Sequence, residues 1–218
     1  MKKLVIFDLY GTLLNTIEDL GHATNYALEK LGFPTHSISS YPFYVGNGVT
    51  RLIERVLPDE NRTKLDIERV RREFISYYDE HDHDFSAPYD GVKTLLLSLQ
   101  EKGVNLAVAS NKYHRAVVRL VEHYFGDIRW ASIRGHEEPR PVKPDPSVVF
   151  ATLLDCPTPK ADVLYVGDSG VDMETARRAC VDSVGVTWGF RPAKELRENY
   201  ATHIVDRPED ILEIVLNG

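Results

Sequence analysis

The chain has 218 residues, of which 43% are hydrophobic, and it carries a formal net charge of -7 at pH 7. This length and apolar content suffice to bury a full core, either in one large domain or in a core with a smaller appended domain. The acidic balance argues against a nucleic-acid partner, because contacts with a phosphate backbone need clustered Lys and Arg. No stretch approaches the roughly 18 apolar residues of a membrane span, so we expect a cytoplasmic protein with no membrane partner.

The first element in chain order is a short apolar strand, predicted at residues 4–7, that ends directly before a carboxylate. In open α/β sheets, the carboxyl ends of the strands carry the chemistry. Asp8 is therefore the first candidate catalytic residue, and it opens the segment Asp-Leu-Tyr-Gly-Thr-Leu at residues 8–13.

Residues 15–85 show a different periodicity, with apolar side chains at helical spacing and no convincing strand. A mostly helical block after the first strand of an α/β sheet predicts a second, smaller domain that covers the strand ends and excludes water. We therefore predict an α/β core formed by residues 1–14 and 86–218, with a helical cap formed by residues 15–85. Near its end, residues 79–84 alternate His with acids, which could bind a metal but is more typical of a solvated charged surface.

From residue 89 onward, short β-rich runs alternate with amphipathic stretches. This alternation predicts βαβ units and a doubly wound parallel sheet, so the fold class is α/β. The candidate strands lie at residues 104–109, 130–133, 163–166 and 183–187, and helical apolar stripes occupy 92–99 and 117–125.

Three more polar segments fall where strand ends should converge on Asp8. They are Ser110-Asn111-Lys112, Lys143 in Val-Lys-Pro-Asp-Pro, and Gly-Asp-Ser-Gly-Val-Asp at residues 167–172. In their order and spacing, the four segments resemble the motifs of the haloacid dehalogenase superfamily, and the resemblance covers essentially the whole chain. Within that superfamily, the segments at residues 46–49, 88–92 and 185–189 look most like those of phosphoglycolate phosphatases. The resemblance implies a Rossmann-like core and a small phosphorylated metabolite as substrate, and we expect a monomer or homodimer.

The candidate residues suit phosphoryl transfer through a covalent aspartyl-phosphate. Asp8 can attack phosphorus as a carboxylate nucleophile. Ser110 and the backbone beside Asn111 can donate hydrogen bonds to phosphoryl oxygens, and Lys143 supplies a fixed positive charge. The predicted phosphate- and substrate-binding set is completed by Thr12 beside the nucleophile and by Asn47 and Arg51 in the cap, where Arg suits a bidentate contact with a substrate carboxylate.

Acid density around Asp8 predicts a metal ion. Asp168 and Asp172 would repel Asp8 and a phosphate dianion, each close pair costing about 4 kcal/mol at an effective dielectric of about 20. Lys143 alone cannot neutralise them, whereas Mg²⁺ prefers such oxygen ligands. The predicted cofactor is therefore Mg²⁺, bound by Asp8 and Asp168, with Asp172 in direct or indirect contact. The family resemblance adds the main-chain carbonyl of Tyr10 to these ligands.

Tyr10 is the one departure from the phosphatase motif, which is written D-x-D-G-T. In those enzymes the second Asp protonates the leaving alkoxide and then activates the hydrolytic water, a contribution of roughly 10²- to 10⁴-fold. A phenol with a reference pKa near ~10 is a poor base at neutral pH. We therefore predict a phosphatase with slow turnover.

Two other interpretations stay open. L-2-haloacid dehalogenases resemble this chain in having D-x-Y-G-T, and their nucleophilic Asp attacks carbon without a metal. Those enzymes do not combine Tyr with a G-D-S-x-x-D segment, and an uncompensated Asp168 would be unfavourable in a metal-free site. The third interpretation is a catalytically defective protein that binds phosphate and Mg²⁺.

Overall fold

The computed structural model describes residues 1–45 and 48–218, and these divide into two compact units. Residues 1–14 and 88–218 form one unit, which we call the core unit, and residues 15–87 form the other, which we call the helical unit. The boundary between residues 87 and 88 lies two residues beyond the one drawn from the sequence. Among the described residues, no helix is both long enough and apolar enough to cross a membrane.

The core unit is built on a parallel sheet of six strands in the order β5-β4-β1-β6-β7-β8. The strands of the described chain are β1 (Leu4–Phe7), β2 (Leu14–Asn15), β3 (Ala87–Pro88), β4 (Asn105–Tyr113), β5 (Trp130–His136), β6 (Val163–Gly167), β7 (Asp182–Val186) and β8 (His203–Val205). The short β2 and β3 lie at the two places where the chain passes between the units.

The α-helices of the described chain follow the expected alternation after β3. They are α1 (Ile17–Lys30), α2 (Tyr41–Tyr44), α3 (Val49–Val56) and α4 (Lys64–Tyr78) in the helical unit, then α5 (Val92–Glu101), α6 (His114–Phe125), α7 (Ser147–Asp155), α8 (Gly170–Ala179), α9 (Ala193–Glu198) and α10 (Pro208–Asn217) in the core unit.

Helices cover both faces of the sheet, so its central strands are continuously apolar. In β1, Val5 and Phe7 pack into one core cluster with residues of α5, α6 and α10, whereas Leu4 and Ile6 pack into another with residues of α7 and α8. Burial on both faces is what an uninterrupted apolar run in a parallel strand predicts. The predicted doubly wound α/β fold is confirmed.

The helical unit has its own core. Leu28 of α1, Ile53 of α3 and Phe74 of α4 are almost fully buried, which agrees with the helical periodicity of the segment. The expectation of a solvated run at residues 79–84 is wrong for Asp82, which is fully buried with its Oδ1 2.9 Å from Nδ1 of His83.

Two strands are longer than their apolar runs indicated. β4 continues through Ser110 to Tyr113, and β5 continues to His136. Ser110 therefore lies within a strand rather than in the turn after it, and the polar end of β4 becomes part of the site described below.

The packing predicts a matched pair of stability effects. Leu96 of α5 is fully buried in the core cluster that contains Val5 and Phe7, whereas Leu154 of α7 is 83% exposed. Leu96→Ala should lower the free energy of unfolding by about 2–5 kcal/mol through lost burial and a cavity. Leu154→Ala should change it by less than about 0.5 kcal/mol. Urea titration of both variants measures this, and equal losses would contradict the assigned core.

Candidate active site

Asp8 lies at the carboxyl end of β1, in the middle of the sheet. Its backbone N–H donates to the carbonyl of Val166 at 2.8 Å, continuing the pairing of β1 with β6. The residue is 7% exposed, and its Oδ1 accepts a hydrogen bond from Nζ of Lys143 at 2.8 Å. The candidate nucleophile is thus held at the sheet edge that the topology favours.

Lys143 comes from the loop between β5 and α7 and reaches into the same place. Its buried ammonium donates to Asp8, to Oδ1 of Asp172 at 2.7 Å and to the carbonyl of Ala109 at 3.0 Å. Burial alone would lower the pKa of Lys143, but the carboxylates of Asp172 and Asp8 hold that pKa well above its usual range. The ammonium is therefore a permanent positive charge with all three donors used.

Asp172 joins this ion cluster to the start of α8. Its Oδ2 accepts from the backbone N–H and the hydroxyl of Ser169, at 3.2 and 2.6 Å, in a capping box. A Cβ on Gly167 would lie 2.3 Å from Cβ of Asp172. Only glycine fits there, so the Gly-Asp-Ser segment is shaped by the close approach of this carboxylate.

Asp168 is the third buried carboxylate, and it is held by a loop that the sequence did not assign to the site. Its Oδ2 accepts from the backbone N–H of Phe190 at 2.7 Å. A Cβ on Gly189 would lie 2.3 Å from Cβ of Asp168, and one on Gly11 would lie 2.3 Å from its Oδ2. The Thr-Trp-Gly segment directly before Phe190 was noticed in the sequence. Its role in the site was not predicted, because a backbone N–H can be supplied by almost any residue type.

Asp8, Asp168 and Asp172 each offer a carboxylate oxygen within 4.8 Å of the others, and all three side chains are buried. Burial, with the charges of Asp172 and Asp8, raises the pKa of Asp168 well above its usual range. Burial also raises the pKa of Asp8 to about 6, against the lowering effect of Lys143. Three acids with one ammonium leave the site short of positive charge, and an all-oxygen donor set fits a hard cation such as Mg²⁺.

The predicted phosphate ligands lie in the same unit. Ser110 is buried, and its Oγ accepts from the N–H of Lys112 at 3.3 Å. Thr12 is also buried, and its Oγ1 has no hydrogen-bond partner among the described residues. The carboxamide of Asn111 is used differently, in two hydrogen bonds to the backbone of Lys143.

Tyr10 is partly buried and packs against the core cluster that contains Val5 and Phe7. Nζ of Lys112 lies 5.2 Å from the centroid of its ring, within the range of a cation–π contact.

The remaining predicted residues belong to the helical unit. Arg51 is in α3, where its exposed guanidinium donates to Glu54 at 2.5 Å. It lines an open cavity of about 750 Å³ together with Arg55, Arg62 and Phe43. Asn47 lies outside the described residues.

Comparisons with known proteins agree with this geometry. The family of haloacid dehalogenase-like hydrolases matches residues 5–186. The phosphoglycolate phosphatase of Vibrio cholerae is 32% identical, with 98% of this chain and 97% of that protein covered. That of Thiobacillus denitrificans is 35% identical over 89% of this chain and 88% of its own length. A Lactobacillus delbrueckii protein assigned as a phosphoglycolate phosphatase superposes with a TM-score of 0.92 at 32% identity, covering 99% of both chains.

The acid cluster predicts that removal of one of its charges stabilises the fold. The raised pKa of Asp168 means that this group makes folding less favourable as pH rises from the ordinary Asp range through the folded pKa. Asp168→Asn removes that cost, so without added metal the variant should melt a few degrees higher at pH 7.5, at roughly 2–4 °C per kcal/mol. The gain should shrink as pH falls and the native carboxyl becomes neutral.

Thermal melts in EDTA between pH 5 and 8 measure this difference. Asp90→Asn, the same change at an exposed position, is the control and should show no such pH-dependent gain. A variant at Asp168 that melts lower than the native chain at pH 7.5 would contradict the argument.

Proposed function

The chain belongs to the family of haloacid dehalogenase-like hydrolases, and we propose that it is a Mg²⁺-dependent phosphatase that hydrolyses a small phosphate monoester. Its similarity to phosphoglycolate phosphatases makes 2-phosphoglycolate the first candidate substrate. The observation that carries the proposal is the cluster of three buried carboxylates around one buried ammonium at the carboxyl end of the sheet.

In the proposed reaction, a carboxylate oxygen of Asp8 attacks phosphorus and the ester P–O bond breaks, so that its electron pair leaves with the alcohol oxygen. Water then attacks the phosphorus of the aspartyl-phosphate, which releases inorganic phosphate and regenerates Asp8. Splitting the displacement in two avoids direct attack by water on a stable monoester. Ser110 and Thr12 supply hydrogen-bond donors for the phosphoryl oxygens, and Lys143 supplies a fixed positive charge beside them.

Asp8 and Asp168 would hold the metal, with the main-chain carbonyl of Tyr10 and support from Asp172. When bound, Mg²⁺ supplies the positive charge that lets these acids ionise beside a phosphate dianion. The N–H of Phe190 fixes one oxygen of Asp168 and leaves the other for this role. We further propose that the helical unit acts as a cap, with Asn47 and Arg51 contributing to substrate binding.

Tyr10 stands where a phosphatase of this family has its acid–base Asp, so both proton transfers should be slow. Tyr10→Asp should raise kcat for 2-phosphoglycolate by roughly 10²- to 10⁴-fold. The gain in the rate of the first step, phosphorylation of Asp8, should be smaller for p-nitrophenyl phosphate, because its leaving group departs with little protonation. Steady-state phosphate release measures kcat for 2-phosphoglycolate, and rapid-quench assays measure the first step with both substrates.

Tyr10→Asn is the matched control, since it has nearly the shape of Asp without a titratable group, and it should show no comparable gain. With p-nitrophenyl phosphate, rapid-quench assays of the native chain should also show a burst of p-nitrophenol release. The reason is that a missing acid–base Asp at position 10 slows hydrolysis of the aspartyl-phosphate most. Equal rates for the native chain and both variants would contradict the role given to position 10.

A second candidate function is metal-free dehalogenation of a 2-haloacid, which Tyr10 itself favours through the D-x-Y-G-T resemblance. The burial of Asp168 beside Asp8 opposes it, because without a metal the single ammonium of Lys143 would have to offset the repulsion among three acids.

Metal removal separates the two reactions. We expect phosphate release from 2-phosphoglycolate to need Mg²⁺ and to fall to background in EDTA, and we expect no chloride from 2-chloropropionate in either condition. Chloride release in EDTA would overturn the phosphatase proposal. If neither product forms, even after Tyr10→Asp, a protein that only binds phosphate would be the better description.

A further inference from the structure

Lys143 is held at both ends, by its ammonium and by its backbone. The ammonium is fixed by Asp8, Asp172 and the carbonyl of Ala109. The backbone N–H donates to Oδ1 of Asn111 at 2.7 Å, and the backbone carbonyl accepts from Nδ2 of Asn111 at 3.1 Å. The polar end of β4 therefore controls both where the Lys143 main chain lies and where its charge points.

We propose that Asn111 is the positioning residue for Lys143, acting through its side-chain amide rather than by touching the substrate. This inference rests on the proposed phosphatase function. Lys143 lies in the loop between β5 and α7, outside any strand or helix. A carboxamide holds an N–H donor and a carbonyl acceptor side by side in one plane, as the backbone of a neighbouring strand does. The two hydrogen bonds of Asn111 therefore take the place of strand pairing for this one residue.

The position of the Lys143 backbone matters because it determines where the ammonium of this side chain lies. The side chain is 4% exposed, so its ammonium cannot exchange its protein partners for water without moving the loop. Displacements of about 1 Å at a reacting centre can cost about 10²-fold in rate. Loss of both backbone hydrogen bonds should let the loop shift and misdirect the charge that stabilises Asp8 and the phosphoryl group.

The first test is a double-mutant cycle on phosphatase activity with saturating Mg²⁺. Asn111→Ala should lower kcat for p-nitrophenyl phosphate about 10- to 100-fold, as loss of a supporting contact does, with KM changed far less. Since Asn111 acts through Lys143, the double variant with Lys143→Ala should be no slower than Lys143→Ala alone. Asn105→Ala, at the exposed start of β4, is the matched control and should leave kcat within about twofold.

The second test needs no catalysis, and it also serves if a Lys143 variant fails to fold. Amide hydrogen exchange at Lys143, followed by NMR on uniformly ¹⁵N-labelled protein, should be slow in the native chain and in Asn105→Ala. It should be at least tenfold faster in Asn111→Ala, while amides of the central strand β1 stay protected.

The outcomes separate this inference from the proposed function. If the chain is inactive even with Tyr10→Asp, but its Lys143 amide still exchanges faster in Asn111→Ala, the phosphatase proposal is removed and the positioning role is kept. An active native chain in which Asn111→Ala leaves kcat within twofold would overturn the positioning role alone. Multiplicative losses in the double variant would also overturn it, because Asn111 would then act independently of Lys143.

Discussion

The buried ion cluster of Lys143 with Asp8 and Asp172 is the interaction on which the candidate site depends. Charges out of water are unfavourable unless they are paired and their remaining hydrogen-bonding groups are satisfied. Here one ammonium meets two carboxylates and a strand carbonyl, so four otherwise separate parts of the chain share one requirement. These parts are the tip of β1, strand β4 at Ala109, the loop before α7 and the first turn of α8. Removal of the ammonium would leave two buried acids without a counter-charge, so the charges that serve chemistry also hold these parts together.

Asp168 shows why the cluster is built for a ligand rather than for stability. Its Oδ2 receives the Phe190 N–H, but no hydrogen bond from the Lys143 ammonium to it is among the contacts of the described residues. A chain selected only for stability would replace a third buried acid with a neutral side chain. Glycines at positions 11 and 189 instead allow backbone to pack against this carboxylate at distances that any Cβ would block. The local structure thus preserves an acid whose charge is unfavourable in the folded chain without a cation.

The sequence predicted the parallel sheet and the residues that meet at its edge, because apolar strands followed directly by polar residues specify both. Asp8, Ser110 and the acids of residues 167–172 were found in this way, whereas Lys143, which follows no apolar strand directly, was found through the resemblance to the family motifs. The sequence did not predict that β4 would continue through polar Ser110–Tyr113, because strand periodicity is read from apolar residues. It also missed the Phe190 N–H, since a backbone donor is available at almost any residue. Asn111 was predicted to lie near phosphate through the backbone beside it, and nothing in the pattern indicated that its side chain binds a neighbouring loop.

Position 10 separates what the backbone contributes from what the side chain contributes. The turn after Asp8 is fixed by main-chain hydrogen bonds, from Gly11 N–H to the Leu14 carbonyl at 2.8 Å and from Leu13 N–H to the Leu9 carbonyl at 3.0 Å. Gly11 has a φ of +80°, a conformation that favours glycine. None of these features depends on the identity of the side chain at position 10, so Tyr or Asp leaves the carbonyl of that residue in the same turn. Proton transfer depends on the side chain alone. A substitution there can therefore preserve the geometry proposed for the metal while removing the acid–base step, which is why recognition of the fold and of the charge cluster does not by itself establish the rate.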